Sequence, residues 1–141
     1  MIFVDSNILI DIFTRDKHWV DWSRSAIADA CEHNSLAINQ IVVAEVAPRI
    51  GTLDQFLTWL APFDIKQFEL GADAAYCSGK AFLNYRERRK ATPEIAKSII
   101  ADFLIGGHAE TLRATILTRD PRFYRTYFPS VPLITPDKAE T

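Results

Sequence analysis

Apolar positions along this chain fall into two alternating patterns. Short unbroken runs appear at Ile2-Phe3-Val4, Leu36-Ala37-Ile38, residues 114–117 and Pro132-Leu133-Ile134. Each is too short for a helix and reads as a buried strand. A weaker strand is expected within 63–70, where Phe63, Ile65 and Phe68 are apolar. Between these runs the apolar residues recur every three or four positions, the period of an amphipathic helix. Ser6-Asn7 caps one such stretch, followed by Ile8, Leu9, Ile12 and Phe13. A second spans 18–33, with Trp19, Trp22, Ile27 and Ala30 on its apolar face. Helices over 40–48 and 52–60 are separated by the breakers Pro48 and Gly51. A long helix over 72–90 ends before Ala91-Thr92-Pro93, and another covers 97–111. Asp120-Pro121 opens a last short helix, and 135–141 form a polar tail. Short buried strands alternating with helices predict an α/β domain over 1–134, with a parallel sheet covered on both faces in a Rossmann-like three-layer arrangement.

Composition narrows the class without changing it. The 141 residues are 48% hydrophobic and 24% charged, with a net charge of −2, which excludes a disordered or highly charged chain. This length suits one domain. Cys31 and Cys77 lack metal-ligand or disulfide-framework spacing and read as reduced thiols. No apolar stretch approaches the ~20 residues of a membrane span, and the first residues lack a signal-peptide pattern. A cytoplasmic location without membrane association is the expectation.

Four acids stand where charge is costly. Asp5 closes the first strand; Glu45 and Asp102 interrupt the apolar runs 41–47 and 99–105; Asp120 follows the strand at 114–117. Buried carboxylates need pairing, hydrogen bonds or a cation. Each has a local explanation: Asp5, Asp102 and Asp120 as helix caps, Glu45 as an i+4 partner of Arg49. Local explanations do not account for four such acids at successive strand–helix junctions. In an open parallel sheet, ligands bind beyond the carboxyl ends of the strands, where Asp5 and Asp120 fall. Carboxylates converging there repel by a few kcal/mol at ~4 Å, and an all-oxygen set suits Mg²⁺ or Mn²⁺. His108 is less favoured as a catalytic group, and Gly106-Gly107 reads as a close helix contact. No GxSxG, P-loop or GxGxxG is present.

The segments carrying these acids resemble a known family. Val4-Asp5-Ser6-Asn7-Ile8-Leu9-Ile10-Asp11 is similar to the opening of PIN domains. Ala101-Asp102-Phe103-Leu104-Ile105-Gly106-Gly107-His108-Ala109 and Leu117-Thr118-Arg119-Asp120 resemble its later motifs. Small VapC-type toxins of type II toxin–antitoxin systems are the nearest match, over essentially the whole chain. The resemblance implies a PIN-like fold and an Mg²⁺- or Mn²⁺-dependent endoribonuclease that leaves 5′-phosphate ends. It also implies a homodimer and a cognate antitoxin. Carried over by position, Asp5, Glu45, Asp102 and Asp120 would bind the metal and carry catalysis, supported by Ser6, Asn7 and Thr118.

RNA binding by a slightly acidic chain requires segregated charge. Arg86, Arg88, Arg89 and Lys97 flank the Asp102 segment, and Arg119 flanks Asp120, so these are the candidate phosphate contacts. Helices near 40–60 are the expected surface for a second copy or the antitoxin. Two rival readings are a non-catalytic PIN-like RNA-binding module and a receiver-type phosphoacceptor. The receiver lacks its expected acidic pair after the first strand, where Ser6 follows Asp5, and its acceptor Asp after the third.

Overall fold

The computed structural model describes residues 1–89 and 93–136, and side chains throughout except those of 89 and 93–99. Five strands form one sheet: β1 (Ile2–Val4), β2 (Leu36–Ile38), β3 (Ile65–Gln67), β4 (Thr115–Leu117) and β5 (Leu133–Ile134). Among the described residues, seven α-helices connect them: α1 (Ser6–Phe13), α2 (Val20–His33), α3 (Gln40–Val46), α4 (Leu53–Leu60), α5 (Ala72–Arg89), α6 (Pro93–Thr111) and α7 (Arg122–Tyr127). Strand order is β3-β2-β1-β4-β5, with every pairing parallel.

That order is what positions a site. The chain steps outward from β1 through β2 to β3, then returns over the sheet by α5 and α6 to place β4 on the other side of β1. Because such crossovers are right-handed, the reversal puts helices on both faces and opens a crevice between the carboxyl ends of β1 and β4. Val4 lies opposite Leu117 in register, and the Asp5 amide donates to the Leu117 carbonyl at 2.9 Å. The residues just past both strands, Asp5 and Thr118, are therefore neighbours across 113 positions of sequence.

The all-apolar strand runs follow from double coverage: Phe3, Val4, Ala37, Ile38, Ile116 and Leu117 are fully buried. On one flank, Phe103 of α6 packs edge-on against Phe82 and Tyr85 of α5 and Phe123 of α7. Gly106 and Gly107 are the close contact expected of them. A Cβ on Gly106 would strike the Phe128 ring, and one on Gly107 would come within 2.7 Å of the Ser78 backbone nitrogen. Among the described residues, no helix is long and apolar enough to cross a membrane.

Element ends differ from the sequence expectation in physically simple ways. The helix expected from 97 starts at Pro93, a residue suited to a first helical turn, where its missing N–H costs nothing. The third strand contracts to Ile65–Gln67, since only Ile65 of it is buried. Asp120 does not cap the last helix, which begins at Arg122 with Pro121 as its N-cap. Of the expected tail, Thr135 is buried and 137–141 lie outside the described residues.

Candidate active site

Asp5 is 4% exposed and occupies the extended N-cap position of α1, where its Oδ1 accepts the Ser6 amide at 2.7 Å. The cap explanation and a functional one thus use the same residue. Its other oxygen, Oδ2, accepts from the Thr118 hydroxyl at 2.8 Å, the Tyr124 phenol at 3.0 Å and the Asn7 amide at 3.4 Å. Thr118 is fully used: its hydroxyl donates to Asp5 and accepts from Asn7 Nδ2 and the Asp120 amide, each at 3.1 Å. Asn7 completes a ring by accepting the Arg119 amide on Oδ1 at 3.3 Å.

The helices bring the remaining acids to the same place. Glu45 on α3 accepts the Ser6 hydroxyl at 2.8 Å, a bond across 39 residues that replaces the alternative i+4 role. Ser6 has one hydroxyl proton, so this short bond excludes donation to Asp5 Oδ1, which lies 3.5 Å away. Asp102 is half-buried beside the core-anchored Phe103. Asp120 is exposed at the rim. Together Asp5, Ser6, Asn7, Glu45, Asp102 and Asp120 line a cleft of about 250 Å³, closed by Ile10, Phe123 and Tyr124.

The electrostatics of this cleft are those of uncompensated negative charge. Burial is the main force raising the Asp5 carboxyl to about 6, with Glu45 adding to it; the Thr118 and Tyr124 hydrogen bonds oppose the rise without cancelling it. Burial also pushes Asp102 up to about 7, helped by the charges of Asp5, Glu45 and Asp120. Burial and the charges of Asp5, Asp102 and Glu45 hold the Tyr124 phenol protonated well above its usual range, which keeps it a donor to Asp5. An all-oxygen donor set with excess negative charge fits a hard divalent cation. The carboxylates converge without closing: among the described residues, no three acidic, histidine or cysteine side chains already form a ligand cluster.

All seven acids and supporting polar residues expected from the sequence lie in or on this cleft. Among the described side chains, the expected basic contacts do not share its walls. Arg86 and Arg88 are exposed on α5, and the side chains of Arg89 and Lys97 lie outside the described residues. Arg119 turns away from the cleft, its Nε donating to Asp11 Oδ2 at 2.7 Å. His108 is buried away from the site. Asn39 Oδ1 accepts two α3 amides, so Asn39 Nδ2 is the donor to His108 Nδ1 at 3.1 Å. The imidazole therefore stands neutral as a link between α6 and the α3 cap, and burial lowers its pKa.

Two participants escaped the sequence reading. Tyr124 carries no local signal: it is the third residue of α7, and only the fold brings its phenol to Asp5. Asp11 carries the same signal that exposed Asp102, an acid between the apolar residues Ile10 and Ile12. It is 1% exposed.

Solved structures share the architecture. A chain of VapBC2 from Rickettsia felis, bound to a DNA fragment from their promoter, aligns with a TM-score of 0.66 at 21% identity, covering 96% of this chain and 98% of that one. A toxin–antitoxin complex from Klebsiella pneumoniae gives 0.62 at 21% identity over 96% and 98%. DNA-bound VapBC from Salmonella typhimurium gives 0.63 at 17% over 95% and 96%. No curated protein sequence matches. The model of the PIN domain matches residues 2–129, and with it the chain belongs to the PIN domain family.

Proposed function

We propose that this chain is a divalent-metal-dependent endoribonuclease, the toxin of a VapC-type toxin–antitoxin pair. The observation that carries the reading is the convergence of Asp5, Glu45, Asp102 and Asp120 on one cleft, with two of their carboxyls raised to about 6 and 7. Membership of the PIN domain family and the likeness to VapBC complexes support it.

Asp5, Asp102, Asp120 and Glu45 would hold Mg²⁺ or Mn²⁺, which when bound supplies an activated water and charge stabilisation at a phosphodiester. The chain's own residues do the positioning. Thr118 and Tyr124 fix the plane of the Asp5 carboxylate, and Ser6 ties Glu45 of α3 to the β1 end. Phe123 and Ile10 give the cleft apolar walls that keep its dielectric low. Exposed Arg86 and Arg88 offer phosphate contacts outside it. The antitoxin and a second copy of the chain are the protein partners of this reading.

The receiver alternative loses ground on topology. Receivers carry strand order 2-1-3-4-5, whereas this sheet is 3-2-1-4-5. The non-catalytic PIN module is separated by experiment. Purified protein incubated with total RNA and Mg²⁺ or Mn²⁺ should give discrete fragments with 5′-phosphates, lost with chelator and in Asp5→Ala. Metal binding without cleavage by the folded protein would favour the non-catalytic module.

A further inference from the structure

Arg119 is the residue whose sequence role and structural role diverge most. It stands beside Asp120, a place that suits a phosphate contact, yet its side chain faces inward. Nε donates to Asp11 Oδ2, and the guanidinium carbon sits 5.6 Å from the centre of the Trp19 ring. Asp11 is 1% exposed and receives a second bond on the same oxygen, from the fully buried Ser23 hydroxyl of α2 at 3.0 Å. Trp19 is itself placed by Asp16, whose Oδ1 accepts the amides of His18 and Trp19 at 2.9 and 3.0 Å. The guanidinium is thus held by α1, α2 and the turn between them.

The main chain of Arg119 points the other way. Its amide donates to Asn7 Oδ1, and Asn7 reaches Thr118 and Asp5. The next residue is Asp120, exposed at the cleft rim with its amide on Thr118 Oγ1. A three-residue segment is therefore pinned at two points: Thr118 by the ring around Asp5, and the Arg119 side chain by a buried carboxylate on α1. An exposed acid on a loop has many available positions; one following an anchored residue has few.

We propose that the Asp11–Arg119 ion pair, stacked on Trp19, is a positioning element that holds Asp120 over the cleft, so that Arg119 serves the site through Asp120 and not by touching RNA. The inference rests on the nuclease reading for its kinetic consequence, while its structural consequence stands apart from that reading.

Asp11→Asn and Arg119→Lys test it together. Both keep a positive charge at 119, and both remove the charged, planar Nε–carboxylate bond. Positioning predicts that each lowers kcat about 10-fold or more, in the range for groups that orient metal ligands. KM and the salt dependence of RNA binding, the latter measured in an Asp102→Asn background that does not cut, stay at the parent values. Ser23→Ala, which keeps the ion pair and removes one bond to Asp11, gives a smaller drop in kcat if the first two variants fold poorly. In metal-free protein, the amide resonances of Asn7, Thr118 and Asp120 shift in Asp11→Asn and Arg119→Lys. A phosphate contact predicts the opposite: Arg119→Lys close to wild type, and Arg119→Ala lowering the slope of log K against log salt by about 0.7–0.9. That outcome, or unchanged amides at Asn7 and Asp120, overturns the proposal. If the wild type cuts no RNA, the nuclease reading falls, and the amide shifts alone decide the positioning role.

Discussion

Asp5, buried, and Asp102, half-buried, share one cleft but are held there by different means. Asp5 sits on the sheet, at a strand end, with donors from a backbone amide, a threonine, a tyrosine and an asparagine. Asp102 sits on a helix, and its neighbours in the cleft are other acids, whose charges add to the effect of burial. The two carboxyls are raised to about 6 and about 7 respectively. Hydrogen bonds thus recover part of the cost of burial for Asp5, while Asp102 carries burial and repulsion together. The strand-end acid has its donors within the fold, whereas on the proposed reading the helix acid is the one that a cation would relieve most.

The largest effect should come from removing either carboxylate. Asp5→Asn and Asp102→Asn should each reduce metal-dependent RNA cleavage by more than about 100-fold, beyond the 10–100-fold typical of supporting groups. Rates on an end-labelled RNA check this. An active Asp102→Asn would break the assignment of the helix acid.

The supporting donors come next and act through Asp5. Tyr124→Phe should lower cleavage by about 10-fold. Thr118→Val should do more, since it also takes an acceptor away from the half-buried Asn7 amide and from the Asp120 N–H. Thermal unfolding beside kinetics separates the two, because Tyr124→Phe removes a donor and leaves its acceptor with other partners.

A smaller effect, of opposite sign, should appear in stability. A carboxyl raised to about 7 binds its proton more tightly in the folded than in the unfolded chain, where its value is 3.8. Its contribution is full at low pH and is lost as pH rises towards 7. Asp102→Asn does not titrate, so the metal-free variant should gain on wild type between about pH 4 and pH 7, by on the order of 1 kcal/mol at pH 8. Mg²⁺ should raise the melting temperature of the wild type and leave that of the variant nearly unchanged. Equal melting temperatures across about pH 5–8 would show that Asp102 is not strained by its neighbours.

The smallest effect belongs to the exposed arginines outside the cleft. Arg86→Gln with Arg88→Gln should flatten the slope of log K for RNA against log salt by about 0.7 for each phosphate no longer neutralised, with kcat little changed. Filter binding across about 50–200 mM salt reads it.

Much of this architecture is legible in the order of residues alone. The strand runs at 2–4, 36–38 and 114–117 are apolar on both faces because helices cover both faces, and the pattern says so directly. The four acids are legible because charge inside an apolar run has no cheap local home. What stays hidden involves partners distant in sequence. Tyr124 is an ordinary helix aromatic until the fold brings its phenol to Asp5, 119 residues earlier. Arg119 reads as a surface cation until Asp11, 108 residues away, is found to be its partner.

Periodicity and polarity are local properties, so the sequence by itself determined the alternation of elements, the double-sided sheet and the set of acids out of place. Which side of β1 receives β4, and hence which residues meet beyond the strand ends, was decided only by the tertiary structure. The direction of a side chain such as Arg119 depends on the charge it finds across the fold, and a local pattern holds no record of that distance.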